Sequence, residues 1–170
     1  MEPDDVSNLV GEIFLLSDTK VIDLKKDEKF LVQYVNLRNT YKELLLTPTV
    51  TIDETRKWLR NDNMEIWGLI ENTILLGVII LYLDRNGEIA FFVKDQNKGT
   101  GSHLLSIIEN IACKKNLHYI WAWVLSDNIP AYRAFEKNGF TKVKIVDREY
   151  NGIIRHGVEF KKKLESIMEA

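Results

Sequence analysis

The chain has 170 residues, a hydrophobic fraction of 45% and a charged fraction of 28%, which are typical of a soluble globular protein with one core. Its 23 basic and 25 acidic residues give a formal net charge of −2, which argues against a dedicated nucleic-acid binder. A single cysteine excludes an internal disulfide and a multi-cysteine metal site.

The chain contains no linker-like, repetitive or low-complexity segment, so a single domain over residues 1–170 is predicted. The longest apolar run, from Ile74 to Leu83, has about half the length that a membrane-spanning helix needs. The first residues, Met1 to Asp5, are acidic where a signal peptide would be basic. These features predict a cytoplasmic protein without a membrane or nucleic-acid partner.

The N-terminal third is predicted to form a hairpin and two helices. The segment Glu12–Leu16 reads as a strand that pairs through the Ser17-Asp18 turn with Val21–Asp23. From Asp27 onwards, apolar residues recur at spacings of three and four, which indicates an amphipathic helix. That stripe consists of Phe30, Leu31, Tyr34, Leu37 and Tyr41. The pattern Thr51-Ile52-Asp53-Glu54 is a capping box and predicts the start of a second helix.

Three strands are predicted next, over Ile66–Glu71, Thr73–Leu83 and Glu88–Val93. The Asn86-Gly87 pair between the last two is a strong hairpin signal. The remaining predicted elements are a helix after the glycines at 99 and 101, a strand over Tyr119–Leu125, a helix over Asn128–Asn138 and a hairpin turning at Asn151-Gly152. This order predicts an α/β (α+β) domain with a central, mostly antiparallel sheet flanked by helices.

The segment Val93–Ser102 joins a predicted strand to a predicted helix. Gly99 and Gly101 allow the backbone to pass close to a ligand, and the amides from Asn97 to Ser102 would point outward at a helix N-terminus. Lys98 adds a positive charge, so the turn is a candidate phosphate site, although a tight turn that binds nothing fits equally well. A Walker A loop and a dinucleotide fingerprint are both excluded by the positions of the lysine and the glycines.

A second motif lies one helix and one strand later. It consists of Asn128, Ala131, Phe135, Gly139 and Phe140. Together with Gln96, Gly99 and Gly101, it resembles the paired motifs of the GNAT acetyltransferase superfamily, Gln/Arg-x-x-Gly-x-Gly/Ala and Asn-x-x-Ala followed by an aromatic residue and Gly-Phe. The similarity is clear from about Ile66 to Phe140 and weaker outside that segment.

The resemblance implies a splayed pair of strands that holds acetyl-CoA as co-substrate, with no metal. Backbone groups of the strand before the turn would bond the pantetheine arm, and the turn would hold the pyrophosphate. The residues to which the resemblance assigns this binding are Phe91, Phe92, Val93, Gln96, Asn97, Lys98, Gly99, Thr100, Gly101, Ser102, Asn128 and Phe135.

An amine attacks a thioester only when it is uncharged, and alkyl amines are mostly protonated at neutral pH. A proton acceptor is therefore expected, and Glu88 is the first candidate, a solvated glutamate being the alternative. Many family members carry a tyrosine at the aromatic position of the second motif, where it protonates the departing thiolate. Phe135 has no proton to give, so Tyr132 is assigned the role, with Tyr119 and Tyr150 left open.

The resemblance implies transfer of acetyl to a primary amine of a small molecule. The segments around Leu37–Asn39, Thr51–Leu59 and Tyr150–Gly152 are similar to a branch that acts on amino-sugar nucleotides, with ribosomal-protein N-terminal and polyamine acetyltransferases as neighbours. Arg38 suits a phosphate because a guanidinium binds it bidentately, and Asn39 is assigned with it, although Arg38 could equally be a solvated or structural residue.

Other acceptors and functions stay open at this point. A polyamine pocket could draw its acidic character from Glu43, Asp53, Glu54 and Glu65. A protein N-terminus is a further acceptor. Because Phe135 lacks a hydroxyl, a non-catalytic acyl-CoA-binding sensor is an alternative, and a structural interaction module is a third. The protein is expected to be a monomer or a homodimer.

Overall fold

A computed structural model describes residues 19–96 and 98–165. Within them, seven strands form one sheet in the order β1-β2-β3-β4-β5-β7-β6. The strands are β1 (Thr19–Asp23), β2 (Met64–Glu71), β3 (Ile74–Tyr82), β4 (Glu88–Val93), β5 (Tyr119–Leu125), β6 (Thr141–Tyr150) and β7 (Ile153–Lys163). The helices are α1 (Leu31–Thr40), α2 (Lys42–Leu45), α3 (Ile52–Trp58), α4 (Thr100–Lys114) and α5 (Ile129–Lys137).

The sheet is antiparallel throughout except between β4 and β5, which run parallel. The predicted fold class is therefore confirmed. β1 pairs with β2, whereas its predicted partner, the segment Glu12–Leu16, lies outside the described residues. In the described part of the chain, no helix combines the length and apolar character needed to cross a membrane.

Local sequence signals set the ends of several elements. Thr51 caps α3 as predicted, because its Oγ accepts a hydrogen bond from the backbone amide of Glu54 at 3.1 Å. The last hairpin turns at Asn151 and Gly152, both with positive φ, and this backbone twist matches the twist of the paired strands. The short helix α2 was not predicted, and it ends at Leu46 in the left-handed region, with a φ of 52°.

Two hydrophobic clusters cover the two faces of the sheet. Helix α4 packs on one face through Leu104, Leu105 and Ile108, which are almost fully buried. On the other face, the cluster includes residues of α1, such as the buried Tyr34. Together these clusters hold the central strands β3 and β4 in place, and β4 carries the site.

The sheet opens between β4 and β5. The two strands pair only at Glu88 and Trp121, the first residue of β4 and the third of β5. From Ile89 onwards, β4 keeps its ladder with β3 but has no ladder partner on the β5 side among the described residues. Backbone groups along this edge are therefore available to a ligand, as the predicted splayed pair requires.

Candidate active site

Four adjoining cavities follow the opening between β4 and β5 and together form the cleft. The first, the glycine-turn cavity, has a volume of about 280 Å³ and lies between the start of α4 and the helix α5. Two central cavities of about 20 and 30 Å³ follow, both lined by Leu44, Leu45 and Phe91. The fourth, the arginine cavity, has a volume of about 310 Å³ and contains Arg38, Arg85 and Arg148 in its lining. Shared lining residues make the cleft continuous from end to end.

The N-terminus of α4 opens into the glycine-turn cavity. Gly99 precedes the helix with a φ of 77°, and no side chain of the described residues caps the first turn, so the amides of residues 100–102 are open to a ligand. An added Cβ at Gly101 would lie 3.0 Å from Cε2 of Phe91, so the backbone passes close to that ring. A free first turn with its helix dipole is the geometry that binds a phosphate.

Three cations surround this helix end. Lys98 comes from the turn, and Arg133 and Lys137 come from α5 on the opposite side, with Asp95 as the acidic residue of the lining. The positive excess suits a pyrophosphate. Arg133 and Lys137 were not predicted as site residues, although their spacing of four residues places them on one face of the helix.

The residues expected to bind acetyl-CoA line the cleft wherever they are described. Phe91, Val93, Gln96 and residues 98–102 line the glycine-turn cavity, and Phe92, Asn128 and Phe135 line the central ones. Asn97 lies outside the described residues.

Several of these side chains also hold the scaffold together. Gln96 donates to the hydroxyl of Tyr41 at 3.1 Å, and Asn128 caps α5 by accepting from the amide of Ala131 at 3.4 Å. Ser102 accepts a hydrogen bond from the Asn138 side chain at 2.9 Å, which ties α4 to the end of α5.

Glu88 stands at the last point where β4 and β5 pair, and its side chain is only 7% exposed. Each carboxylate oxygen accepts a hydrogen bond from a guanidinium: Oε1 from Arg85 at 3.2 Å and Oε2 from Arg148 at 2.8 Å. The alternative of a solvated glutamate is therefore wrong. Glu88 is a buried carboxylate that lines the arginine cavity, with two charge-assisted partners.

Each guanidinium of the arginine cavity lies over an aromatic ring. The distances from the guanidinium carbon to the ring centroid are 5.0 Å for Arg38 over Trp58, 4.1 Å for Arg85 over Tyr82 and 4.8 Å for Arg148 over Trp123. The Trp123 ring is itself fixed, because its Nε1 donates to the carbonyl of Val146 at 2.7 Å. The stacked rings restrict the cations to defined positions.

Tyr132, assigned above as the proton donor, is not brought to this site. Its ring packs edge-on against Phe160 with centroids 4.8 Å apart, and it lines none of the four cavities. The reason is packing: the Tyr132 ring lies against Phe160, on which Phe135 also stacks, although helical spacing makes Tyr132 a neighbour of Asn128 and Phe135 on α5.

Among the tyrosines left open, Tyr150 lines the arginine cavity and Tyr119 lines none of the four. Tyr82, which was not considered as a site residue, also lines the arginine cavity. Burial raises the pKa of Tyr82, against a smaller opposing effect of Arg38 and Arg85. The Tyr82 hydroxyl therefore stays protonated at neutral pH.

Of the two residues predicted to bind the acceptor, one lines the arginine cavity and the other does not. Arg38 lines the arginine cavity. Asn39 does not, because both ends of its amide bond the backbone of Val50, at 2.9 and 3.0 Å, and so fix the loop after α2. The acidic residues considered for a polyamine pocket also lie outside the lining of the arginine cavity: Glu43, Asp53, Glu54 and Glu65.

Comparison with known proteins agrees with this geometry. Residues 23–154 match the acetyltransferase (GNAT) domain family, so the chain belongs to the GNAT acetyltransferases. It is accordingly an acyltransferase that uses acetyl-CoA. No curated protein matches the chain at a significant level of sequence similarity.

Solved structures share the fold at low sequence identity. A spermidine N-acetyltransferase from Vibrio cholerae, in complex with CoA and spermine, has a TM-score of 0.74 and 18% identity over 86% of this chain and 96% of its own. A ribosomal-protein-alanine N-acetyltransferase from Brucella melitensis has a TM-score of 0.75 and 16% identity over 85% and 99%. An N-acetyltransferase from Staphylococcus aureus Mu50 has a TM-score of 0.75 and 16% identity over 86% and 99%.

Proposed function

We propose that the protein transfers the acetyl group of acetyl-CoA to a primary amine of a small molecule held in the arginine cavity, with an amino-sugar nucleotide as the leading candidate. The observation that carries the proposal is the continuity of the cleft. One end offers a free helix N-terminus, and the other is a cavity that contains the buried carboxylate of Glu88.

In this proposal the first turn of α4 binds the pyrophosphate of the donor, and Lys98, Arg133 and Lys137 neutralise its charge. The unpaired edge of β4 offers backbone donors and acceptors to the amide-bearing arm, in the manner of an added strand. Bound acetyl-CoA supplies the thioester carbonyl that the amine attacks.

Glu88 accepts the proton of the attacking amine, directly or through a water, as the new N–C bond forms and the C–S bond breaks. The three guanidinium groups of the cavity assist, because nearby positive charge favours the uncharged form of a bound amine. Backbone amides of residues 91–93 stabilise the carbonyl oxygen as it becomes negative. Tyr150 replaces Tyr132 as the proposed donor of a proton to the thiolate.

The amino-sugar nucleotide is favoured by the similarity of residues 37–39, 51–59 and 150–152 to that branch and by the position of Arg38 in the cavity lining. Phe135 favours a second candidate, an acyl-CoA-binding sensor without turnover. A phenylalanine side chain has no hydroxyl, so position 135 provides no proton to the thiolate. The Phe135 ring is 2% exposed and stacks on Phe160 in the core.

Calorimetric titration with acetyl-CoA tests the donor site. Gly101→Asp would place a side chain against Phe91 and a negative charge at the helix end, and we expect it to abolish micromolar binding. Ser106→Asp is the matched control, because it adds the same charge to an exposed position of α4 outside the cleft. Equal binding by both variants, or no binding by the unmodified protein, would contradict the proposed donor site.

Acetylation of an amine panel then tests the reaction. The panel contains an amino-sugar nucleotide, a polyamine and a peptide with a free N-terminus. We expect turnover of the sugar nucleotide, lost in Glu88→Gln while acetyl-CoA still binds. Full activity of Glu88→Gln would contradict the role of the base, and tight binding without turnover of any amine would favour the sensor.

A further inference from the structure

Two buried polar atoms lack a hydrogen-bond partner in the part of the chain that the structure describes, and both belong to residues of one cavity. They are Nε of Arg38 and Oγ of Thr47. Both residues line the arginine cavity. Buried polar groups are almost always bonded in native proteins, so two exceptions at one place require a physical explanation.

Arg38 also lacks a counter-ion in the described part of the chain. Its Nη1 donates to the hydroxyl of Tyr34 at 2.7 Å, and no carboxylate of residues 19–96 or 98–165 lies within ion-pairing distance of its guanidinium. Burial raises the pKa of Tyr34 to about 12, so this partner is neutral at physiological pH and does not compensate the charge. The Tyr82 side chain also hydrogen-bonds Arg38, and burial raises the pKa of Tyr82 as well. A partly buried cation with only neutral partners is stabilised when a ligand brings the missing negative charge.

The other charged residues of the arginine cavity also favour an anionic ligand. Arg85 and Arg148 share one carboxylate, Glu88, so the lining retains positive charge even when that group is ionised. Glu149 is the second acidic residue of the lining, and within the described chain it forms no ion pair with these arginines. A polycationic acceptor would meet three guanidinium groups in a space of about 310 Å³. The excess of positive charge in this lining therefore favours an acceptor that carries an anionic group over a polycationic one.

We infer that the arginine cavity contains an anion subsite, formed by Arg38 and Thr47, which binds a phosphate or carboxylate group carried by the amine acceptor. The inference rests on the proposed function and narrows its substrate class to amines that also bear an anionic group. The guanidinium supplies charge and directed donors, and the hydroxyl supplies one more donor. Trp58 holds the guanidinium in place from the other side.

Pairs of amines that differ only in the anionic group test the subsite. One pair is an aminohexose phosphate and the unphosphorylated aminohexose, and another is an amino acid and its carboxamide. With acetyl-CoA saturating, we expect kcat/KM to be about tenfold to hundredfold higher for the anionic member, as for a charge-assisted hydrogen bond. The pair with the larger ratio identifies the group as phosphate or carboxylate.

Arg38→Gln is expected to remove most of this preference, and Thr47→Val, which keeps the side-chain shape, to reduce it by several-fold. Arg60→Gln is the matched control, because Arg60 is exposed and lines none of the cavities. Thermal melting of each variant verifies that it folds. Equal kcat/KM for both members of both pairs, or a preference that survives Arg38→Gln in folded protein, would overturn the inference.

A binding measurement separates this subsite from the proposed activity. Inorganic phosphate is titrated into protein saturated with CoA, so that the glycine-turn cavity is already filled. Binding that Arg38→Gln loses and Arg60→Gln keeps supports the subsite even if no amine of the panel is acetylated, an outcome that would contradict only the proposed reaction. Absence of such binding, together with equal kinetics within the pairs, contradicts the subsite alone.

Discussion

Trp123 packs directly on Gly157, so closely that a Cβ atom added at position 157 would lie 2.2 Å from Cε2 and Cζ2 of the indole. Strand β7, which pairs with the strand of Trp123, therefore needs a glycine at position 157. The guanidinium of Arg148 lies over the same indole and donates to Glu88. Gly157 is thus linked to the buried carboxylate of Glu88 through Trp123 and Arg148.

Gly157→Ala is predicted to lower both stability and activity. The added methyl group must displace Trp123, and overpacking of this kind costs about 1–3 kcal/mol in the free energy of unfolding. Because Arg148 would move with the ring, we also expect kcat to fall while the affinity for acetyl-CoA is unchanged. Gly68→Ala is the control: its added Cβ would lie 2.9 Å from Cδ1 of Leu75, outside the cleft, so stability falls through overpacking while kcat persists. An unchanged kcat in Gly157→Ala would contradict the proposed effect of Gly157 on Glu88 through Trp123 and Arg148.

Arg133→Gln and Lys137→Gln are predicted to weaken acetyl-CoA binding. Both cations are exposed in the lining of the glycine-turn cavity, so each contributes about 1 kcal/mol, or about a threefold to tenfold change in Kd. Calorimetry at low and at high salt measures the effect, which should shrink as salt screens the charges. Lys114→Gln removes an exposed charge at the far end of α4 and should leave Kd unaltered. The proposed pyrophosphate site would be refuted by identical Kd values for all three variants.

Tyr150→Phe is predicted to lower kcat, and Tyr132→Phe to leave it unchanged. Tyr150 lines the cavity that contains Glu88, whereas Tyr132 packs against Phe160. A thiol with a pKa of about 8.5 leaves with little assistance. We therefore expect kcat to fall by about 100-fold, which is the low end of the range for the loss of a general acid. Single-turnover acetylation at several pH values measures it. A loss confined to Tyr132→Phe would restore the original assignment.

The free energy of unfolding is predicted to fall as the pH rises from about 10 to about 12, in part because of Tyr34. Burial raises the pKa of Tyr34 to about 12 in the folded protein, whereas the unfolded chain titrates near 10. Within this window the folded state retains a proton that the unfolded state has lost, so stability decreases by up to about 2–3 kcal/mol. Urea unfolding at pH 9 and pH 11.5 measures the change. The decrease should be smaller in Tyr34→Phe, and equal decreases would contradict the assignment.

The local structure of the glycine turn and of α5 could be predicted because its sequence signals are local. The glycine turn and the capping asparagine of α5 act within a few residues, and both stand where the motifs indicated. The same holds for Asn86 and Asn151, whose positive φ angles form the predicted turns. Short-range backbone rules suffice for such features.

The acceptor side could not be predicted in the same way because its contacts are distant in the chain. Glu88 meets Arg148 sixty residues later, and no local pattern indicates that pairing. Asn39 is adjacent to Arg38 in sequence, yet it turns to Val50 instead of the cavity. Tyr132 was assigned from its proximity to Phe135, but its ring packs on Phe160 of the last strand, a contact that no local pattern indicates.

The two ends of the cleft therefore differ in how much of the chain must be folded before they exist. The lining of the glycine-turn cavity comes entirely from residues 91–137, whereas the arginine cavity joins residues from 38 to 150. Contacts between residues far apart in sequence form late, because the loops that they close are long. A nascent or truncated chain without its last hairpin would contain every residue of the first cavity but lack Arg148 and Tyr150. The proposed acceptor cavity therefore requires the chain through its last hairpin, whereas the lining of the glycine-turn cavity is complete by Lys137.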